Sequence, residues 1–234
     1  GLFDSVEYYA EVGRHKREGY KFVMSVVKKE PFGQRIIRDI KMSDAKLWFI
    51  KLYDDGYSYS TIASIRGVVK PAFQMAYTED IIRRNPFEFR LDIIPNNTQK
   101  RVALSPKQQE QFLEFTRNDK HFCRYLDEIK ILLGTGMRIS ELCGLTIADL
   151  DFDRRRIRVD HQLVRTQDGK RYIEKTKTEC GCRYIPMSDE VYESFYNILS
   201  NRKKQKKEVM IDGYAGFILL DKNGNPKVAM HVQK

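Results

Sequence analysis

The chain has 234 residues, enough for one large domain or two small ones. Hydrophobic residues make up 41% and can build cores, whereas 32% charged residues argue against a membrane span, and no apolar run approaches the roughly 20 residues a transmembrane helix needs. A formal charge of +10, from 42 Lys+Arg against 32 Asp+Glu, points to a polyanionic partner, most often nucleic acid.

The first ninety residues read as helices joined by short loops. Leu2, Phe3, Val6, Tyr9 and Ala10 make one apolar stripe, and Phe22, Val23, Val26 and Val27 another. Ser43 is the expected N-cap of a helix carrying Leu47, Trp48, Ile50 and Leu52. After the break at "DDGYS", a long helix from about Ser60 turns Ile62, Ile65, Val69, Ala72, Phe73 and Ala76 inward, with Pro71 expected to kink or interrupt it. Its other face carries Arg66, Lys70 and Gln74, a stripe suited to a solvated surface or to a phosphate backbone. With "RHKR" (Arg14 to Arg17) it gives this half two basic patches. A short helix is expected to stop at Asn85-Pro86. "IIPNNTQKR" then reads as an extended linker, with the domain boundary near residue 98.

Ser105-Pro106 opens a helix as N-cap and first-turn residue. In "GTGMRISELCGL" the glycines Gly134 and Gly136 break an apolar run and let the backbone turn into a new helix from about Met137. Arg138 thus stands in a helix's first turn, where a cation is mildly disfavoured. Either Glu141 offsets that charge, or Arg138 and the helix's unpaired N–H groups face a common anion. "RRIRVDHQLVRT" reads as one strand, "QDGK" as a turn and "RYIEKTKT" as the returning strand of a hairpin. "CRYIPM" is a third strand, and Ser188 caps a helix with Val191, Phe195, Ile198 and Leu199 on one face. "NRKKQKKE" continues that helix as a basic, solvated run; "GFILLDKNGNPK" reads as a short strand and an Asn-Gly turn.

Cys123, Cys143, Cys180 and Cys182 do not form a disulfide framework in a chain of this length, and Cys180-Gly-Cys182 lacks a second pair at zinc-site spacing. Free thiols in a reducing cytoplasm are expected, and the scattered histidines give no reason to expect a metal or other cofactor.

An all-helical half ending in "NPF", the linker to "ALSPKQQEQFLEF", then "LLGTGMRISELCGLTIADLDFDRRRI" and "KTKTECGCRYIPM" together resemble the tyrosine recombinase (phage-type integrase) family, most closely the integrases of conjugative transposons. The resemblance implies an α-helical core-binding domain (residues 1–92), a linker (93–101) and the amino-terminal part of a mixed α/β catalytic domain with a small antiparallel sheet (102–234), the two domains forming a clamp on double-stranded DNA. It implies site-specific cutting and rejoining of DNA through a 3′-phosphotyrosyl intermediate for excision and integration of a mobile element, without a metal or nucleotide cofactor. The enzyme would act as a dimer to tetramer on DNA, in the bacterial cytoplasm.

Carried over by position, Arg138 is the first phosphate-binding arginine and Glu141 the acid that holds it. A hairpin lysine is the general acid. Alternation leaves Lys175 and Lys177 open, and the family's spacing to Pro186 favours Lys177. Arg14, Lys16, Arg66, Lys70 and Arg101 are the candidate DNA contacts. The family's His-x-x-Arg segment and nucleophilic tyrosine are not identifiable: His231 lies too near Lys177, and Tyr192, Tyr196 and Tyr214 fall at the wrong places. Residues 1–234 alone are therefore expected to bind DNA without forming a covalent adduct. A type IB topoisomerase and a non-catalytic DNA-binding regulator derived from an integrase are the alternatives.

Overall fold

The computed structural model describes residues 14–166, 168–175, 181–202 and 208–229. The stripe at Leu2 to Ala10, Lys177, Cys180, His231 and most of the basic run after Asn201 lie outside them. The chain divides into two compact units, Gly1–Val102 and Ala103–Lys234. Among the described residues no helix is long and apolar enough to cross a membrane.

The first unit is helical: α1 (Arg14–Lys29), α2 (Met42–Asp54) and α3 (Tyr59–Thr78). Val23, Val26 and Val27 of α1 are buried as their spacing predicts, while Phe22 is half exposed. In α2 the buried set is Ala45, Trp48, Phe49 and Leu52, at helical i, i+3, i+4, i+7 positions, and Leu47 is exposed. Ser43 is not the N-cap. The N-cap is Lys41 and the helix starts two residues earlier, because the Asp44 carboxylate accepts the Lys41 N–H at 2.8 Å.

Every inward residue expected for α3 is buried. Ser58 caps it, accepting the Thr61 N–H. Pro71 does not interrupt it: the carbonyl that loses its donor belongs to Gly67, an exposed residue with open space around its Cα, so water can take the bond. The expected short helix before Asn85 is a set of turns. They deliver Phe87 into the core, where its ring lies 5.0–6.2 Å from those of Phe32, Trp48, Phe49 and Phe73. Ile94 is buried in the same core, and residues 95–105 carry no regular secondary structure.

The second unit mixes helices with two small antiparallel sheets, the fold class expected. Its helices are α4 (Pro106–Asn118), α5 (Leu126–Thr135), α6 (Ile139–Gly144) and α7 (Asp189–Ser200). Ser105 and Ser188 cap α4 and α7 as read from the sequence. The strands are β1 (Leu150–Asp151), β2 (Arg156–Val159), β3 (His161–Arg165), β4 (Arg171–Lys175) and β5 (Arg183–Pro186). The single strand expected across residues 155–166 is thus two. β2 pairs with β1 and β5, whereas β3 pairs, among the described residues, only with β4. The chain changes sheet at Asp160, whose carboxylate takes up the side chains of Arg158 at 3.5 Å and His161 at 2.5 Å. "GFILL" makes isolated bridges rather than a strand, Phe217 with Thr146 and Leu220 with Pro226. Ile131, Leu142, Ile157, Val191 and Phe195 form the core between α5, α6, β2 and α7.

Candidate active site

Two glycines precede the site and do different jobs. Gly136, at φ 62°, is the left-handed C-cap of α5, the turn expected of it. Gly134 is not a breaker. It lies inside α5, where a Cβ would stand 2.6 Å from Val191 Cγ2, so its missing side chain lets α7 pack close.

Arg138 is the N-cap of α6 rather than a first-turn residue. Its own N–H is taken by Glu141 Oε2 at 2.8 Å, and its Nη1 donates to Glu141 Oε1 at 2.9 Å. The Arg138 N–H is thus satisfied within the chain, by Glu141, rather than left for an external anion. What is left is the guanidinium, on a side chain 76% exposed, tied to a carboxylate 3% exposed. That buried carboxylate has a second arginine. Arg183 of β5 lays its fork on both oxygens, Nη2 to Oε2 at 2.7 Å and Nη1 to Oε1 at 3.1 Å. Burial works to raise the Glu141 pKa. The bonds from Arg183, then those from Arg138, outweigh it and hold the carboxyl below its ordinary range. Two guanidinium groups on one carboxylate leave the cluster a net single positive charge, open to solvent on the Arg138 side.

Sequence reasoning missed Arg183. A usable signal was there: alternation in "CRYIPM" puts Arg183 on the same strand face as the half-buried Ile185, an odd place for an unpaired arginine.

The β3–β4 hairpin is lashed to α6. Ser140 Oγ donates to Gln162 Oε1 at 2.7 Å, and Gln162 Nε2 donates to Glu174 at 2.7 Å. At the other end of α6 a Cβ on Gly144 would stand 2.8 Å from Leu163 N, and His161 Nε2–H donates to the Gly144 carbonyl at 2.8 Å. These ties set the end of β4, with exposed Lys175, beside the helix that follows Arg138. Lys177 lies outside the described residues, so the geometry bears on Lys175 alone.

The other sequence candidates are dispersed. Arg66 is a tether within the first unit, donating to the carbonyls of Phe87 and Phe89, and Lys70 pairs with Glu88 at 2.8 Å. Both are engaged by the segment that follows α3. Arg101 is exposed in the irregular segment before α4. Arg14 and Lys16 lie in the first turn of α1, and their side chains are outside the description. Asp149, Asp160 and His161 bring potential ligand atoms within 4.8 Å of one another. Asp149 already accepts from Thr146 and Arg158, and both His161 nitrogens are engaged, so the set serves as an internal brace.

Residues 103–234 match the model of the phage integrase family. The chain is 42% identical over 220 residues to the transposase from transposon Tn916 of Enterococcus faecalis, an alignment covering 94% of this chain and 54% of that protein. It is 24% identical over 191 residues to the tyrosine recombinase XerC of Bacillus pumilus, covering 80% of this chain and 56% of the other. It thus spans about half the length of these curated relatives. Among solved structures, the Tn1549 transposon integrase in complex with a circular intermediate DNA superposes with a TM-score of 0.93 at 42% identity, covering 98% of this chain and 72% of that one. A lambda integrase dimer bound to a core site shares the fold, with a TM-score of 0.63 at 14% identity, covering 97% of this chain and 71% of that one. The chain belongs to the phage integrase family of tyrosine recombinases.

Proposed function

We propose that this protein is a site-specific DNA recombinase of the transposon-integrase type, cutting and rejoining duplex DNA through a 3′-phosphotyrosyl bond during excision and integration of a mobile element. The observation that carries this reading is the solvent-facing Arg138 guanidinium, held by a buried Glu141, in a chain 42% identical to a transposon transposase. Cleaving a phosphodiester builds negative charge on two non-bridging oxygens, and a planar guanidinium can meet both where an ammonium cannot. Arg138 therefore stabilises the pentavalent state. A lysine of the hairpin, Lys177 by spacing, protonates the departing 5′-oxygen. The attacking tyrosine is not assigned to any residue here.

Duplex DNA is the proposed substrate and partner, bound by an oligomer of two to four copies in the cytoplasm. The +10 charge supports this, with Arg14, Lys16 and Arg101 as candidate phosphate contacts. Arg66 and Lys70 are already partly engaged by internal acceptors and rank behind them. If some six phosphates are neutralised, log K against log salt has a slope of about −5.

The test is a nicked suicide duplex incubated with the full-length gene product, followed by denaturation. A covalent protein–DNA band is expected, and Arg138→Ala should bind the duplex normally while losing at least ~10²-fold in cleavage rate. Undiminished cleavage by Arg138→Ala refutes the assignment. Relaxation of supercoils without joining of two duplexes would instead indicate the topoisomerase alternative, and binding without any adduct the regulator.

A further inference from the structure

We propose that Arg183 is a positioning residue for strand cleavage: it acts through Glu141 to hold the Arg138 guanidinium in place, and does not itself touch DNA. The inference rests on the reading of Arg138 as the phosphate ligand.

Its basis is the division of labour on one carboxylate. Glu141 accepts four hydrogen bonds, two from Arg138 and two from Arg183. The Arg183 fork spans both oxygens and so fixes the plane of the carboxylate, while the Arg138 guanidinium is attached by one bond only, Nη1 to Oε1, among the described residues. The two arginines differ in exposure accordingly, 34% for the Arg183 side chain and 76% for Arg138. Arg183 is the inner partner and Arg138 the outer one.

Arg183 is itself fixed by sheet register. β5 pairs along β2, with Arg183 opposite Val159 and Ile185 opposite Ile157, and both of those β2 residues are fully buried. Glu141 is fixed by α6, packed against β3 at Gly144. Two separately anchored elements thus clamp one carboxylate, and Arg138 takes its position from it. Without Arg183 the buried charge has, among the described residues, Arg138 as its sole cation. The guanidinium is then drawn inward to satisfy both oxygens, and its N–H groups are withdrawn from the phosphate. Lysine at 183 restores the charge but fills one oxygen's needs only, leaving the carboxylate plane free to turn.

The experiment compares single-turnover cleavage and duplex affinity in the full-length gene product for wild type, Arg183→Ala, Arg183→Lys, Arg138→Ala and the double variant Arg138→Ala/Arg183→Ala. A displaced catalytic group costs up to ~10²-fold; a partial displacement should slow Arg183→Ala about 10- to 30-fold, leaving affinity within about twofold. Arg183→Lys should fall between, and the double variant should cleave no more slowly than Arg138→Ala, because two residues acting through one group are not additive. Three results would overturn the proposal while leaving Arg138 in its role: normal cleavage by Arg183→Ala, additive losses in the double variant, or affinity falling in step with cleavage. Normal cleavage by Arg138→Ala would instead remove the reading on which the proposal rests. Should Arg183→Ala not accumulate as folded protein, Arg183→Lys decides, since a wild-type rate there contradicts a need for the fork.

Discussion

Replacing Glu141 with glutamine keeps the shape of the side chain and removes its charge, which makes the contribution of this buried carboxylate measurable. The amide retains one acceptor oxygen and turns an NH2 group toward donors. The bond to the Arg138 side chain counts for little, since that group is 76% exposed and water replaces the acceptor. The capping bond to the Arg138 N–H is worth about 1 kcal/mol, and the charge-assisted fork from Arg183 about 1.5–3 kcal/mol. The single remaining oxygen keeps one of these, so the loss at neutral pH is about 2 kcal/mol, or about 6 °C in Tm for a unit of this size. The effect has a pH signature. In the folded state the Glu141 pKa is below its ordinary 4.5. Its contribution is therefore fully present above the unfolded value and is lost as pH falls through the lower folded value. Other carboxylates titrate alike in both proteins, so the Tm gap between wild type and Glu141→Gln should be full at pH 7 and shrink as pH falls below 4.5 and through the lower folded value. Thermal melts across that range test it. No gap at pH 7, or a gap that persists unchanged in acid, refutes the picture of an ionised carboxylate clamped by two arginines.

Gly144→Ala would place a methyl group 2.8 Å from the backbone nitrogen of Leu163. A main-chain atom cannot step aside, so about 1–3 kcal/mol of stability should go and α6 should shift off β3; melts and cleavage rates falling together check this. Lys227→Met strips the buried Glu128, 5% exposed, of its cation and should cost about 3 kcal/mol, much of it recovered by adding Glu128→Gln. Burial, opposed by Lys227, already holds the Glu128 pKa above its ordinary value, so removing the lysine should destabilise more at pH 8 than at pH 5. A loss equal at both pH values would contradict it. Burial, aided by the Glu128 charge, pushes the Cys143 thiol up to about 12, so a thiol-alkylating reagent at pH 8 should modify exposed Cys123 in the native protein and Cys143 only after unfolding. Native labelling of Cys143, read by mass spectrometry, would refute its burial.

Local features of this chain were readable because they are local in cause. The inward stripe of α3 follows from its 3.6-residue period, and Ser105 and Ser188 are caps because a hydroxyl reaches N–H groups two or three residues on. Arg138 and Glu141 are three residues apart, so their partnership was within reach of a sequence argument. The choice between cap and first turn was not, since it depends on how the chain leaves Gly136. Tertiary structure decided the rest. The strand through Asp160 alternates as far as Leu163, and only its pairing, β2 with β5 and β3 with β4, shows that it belongs to two sheets. Gly134 reads as a breaker until Val191 arrives from a helix far along the chain. Arg66 and Lys70 form a basic stripe in sequence, and the carbonyls and carboxylate that engage them come from the segment after α3. Arg183 is the plainest case. Its link to Glu141 crosses 42 residues, and no periodicity reaches that far: a pairing of β5 with β2 and a packing of α6 on β3 have to coincide before the two charges meet.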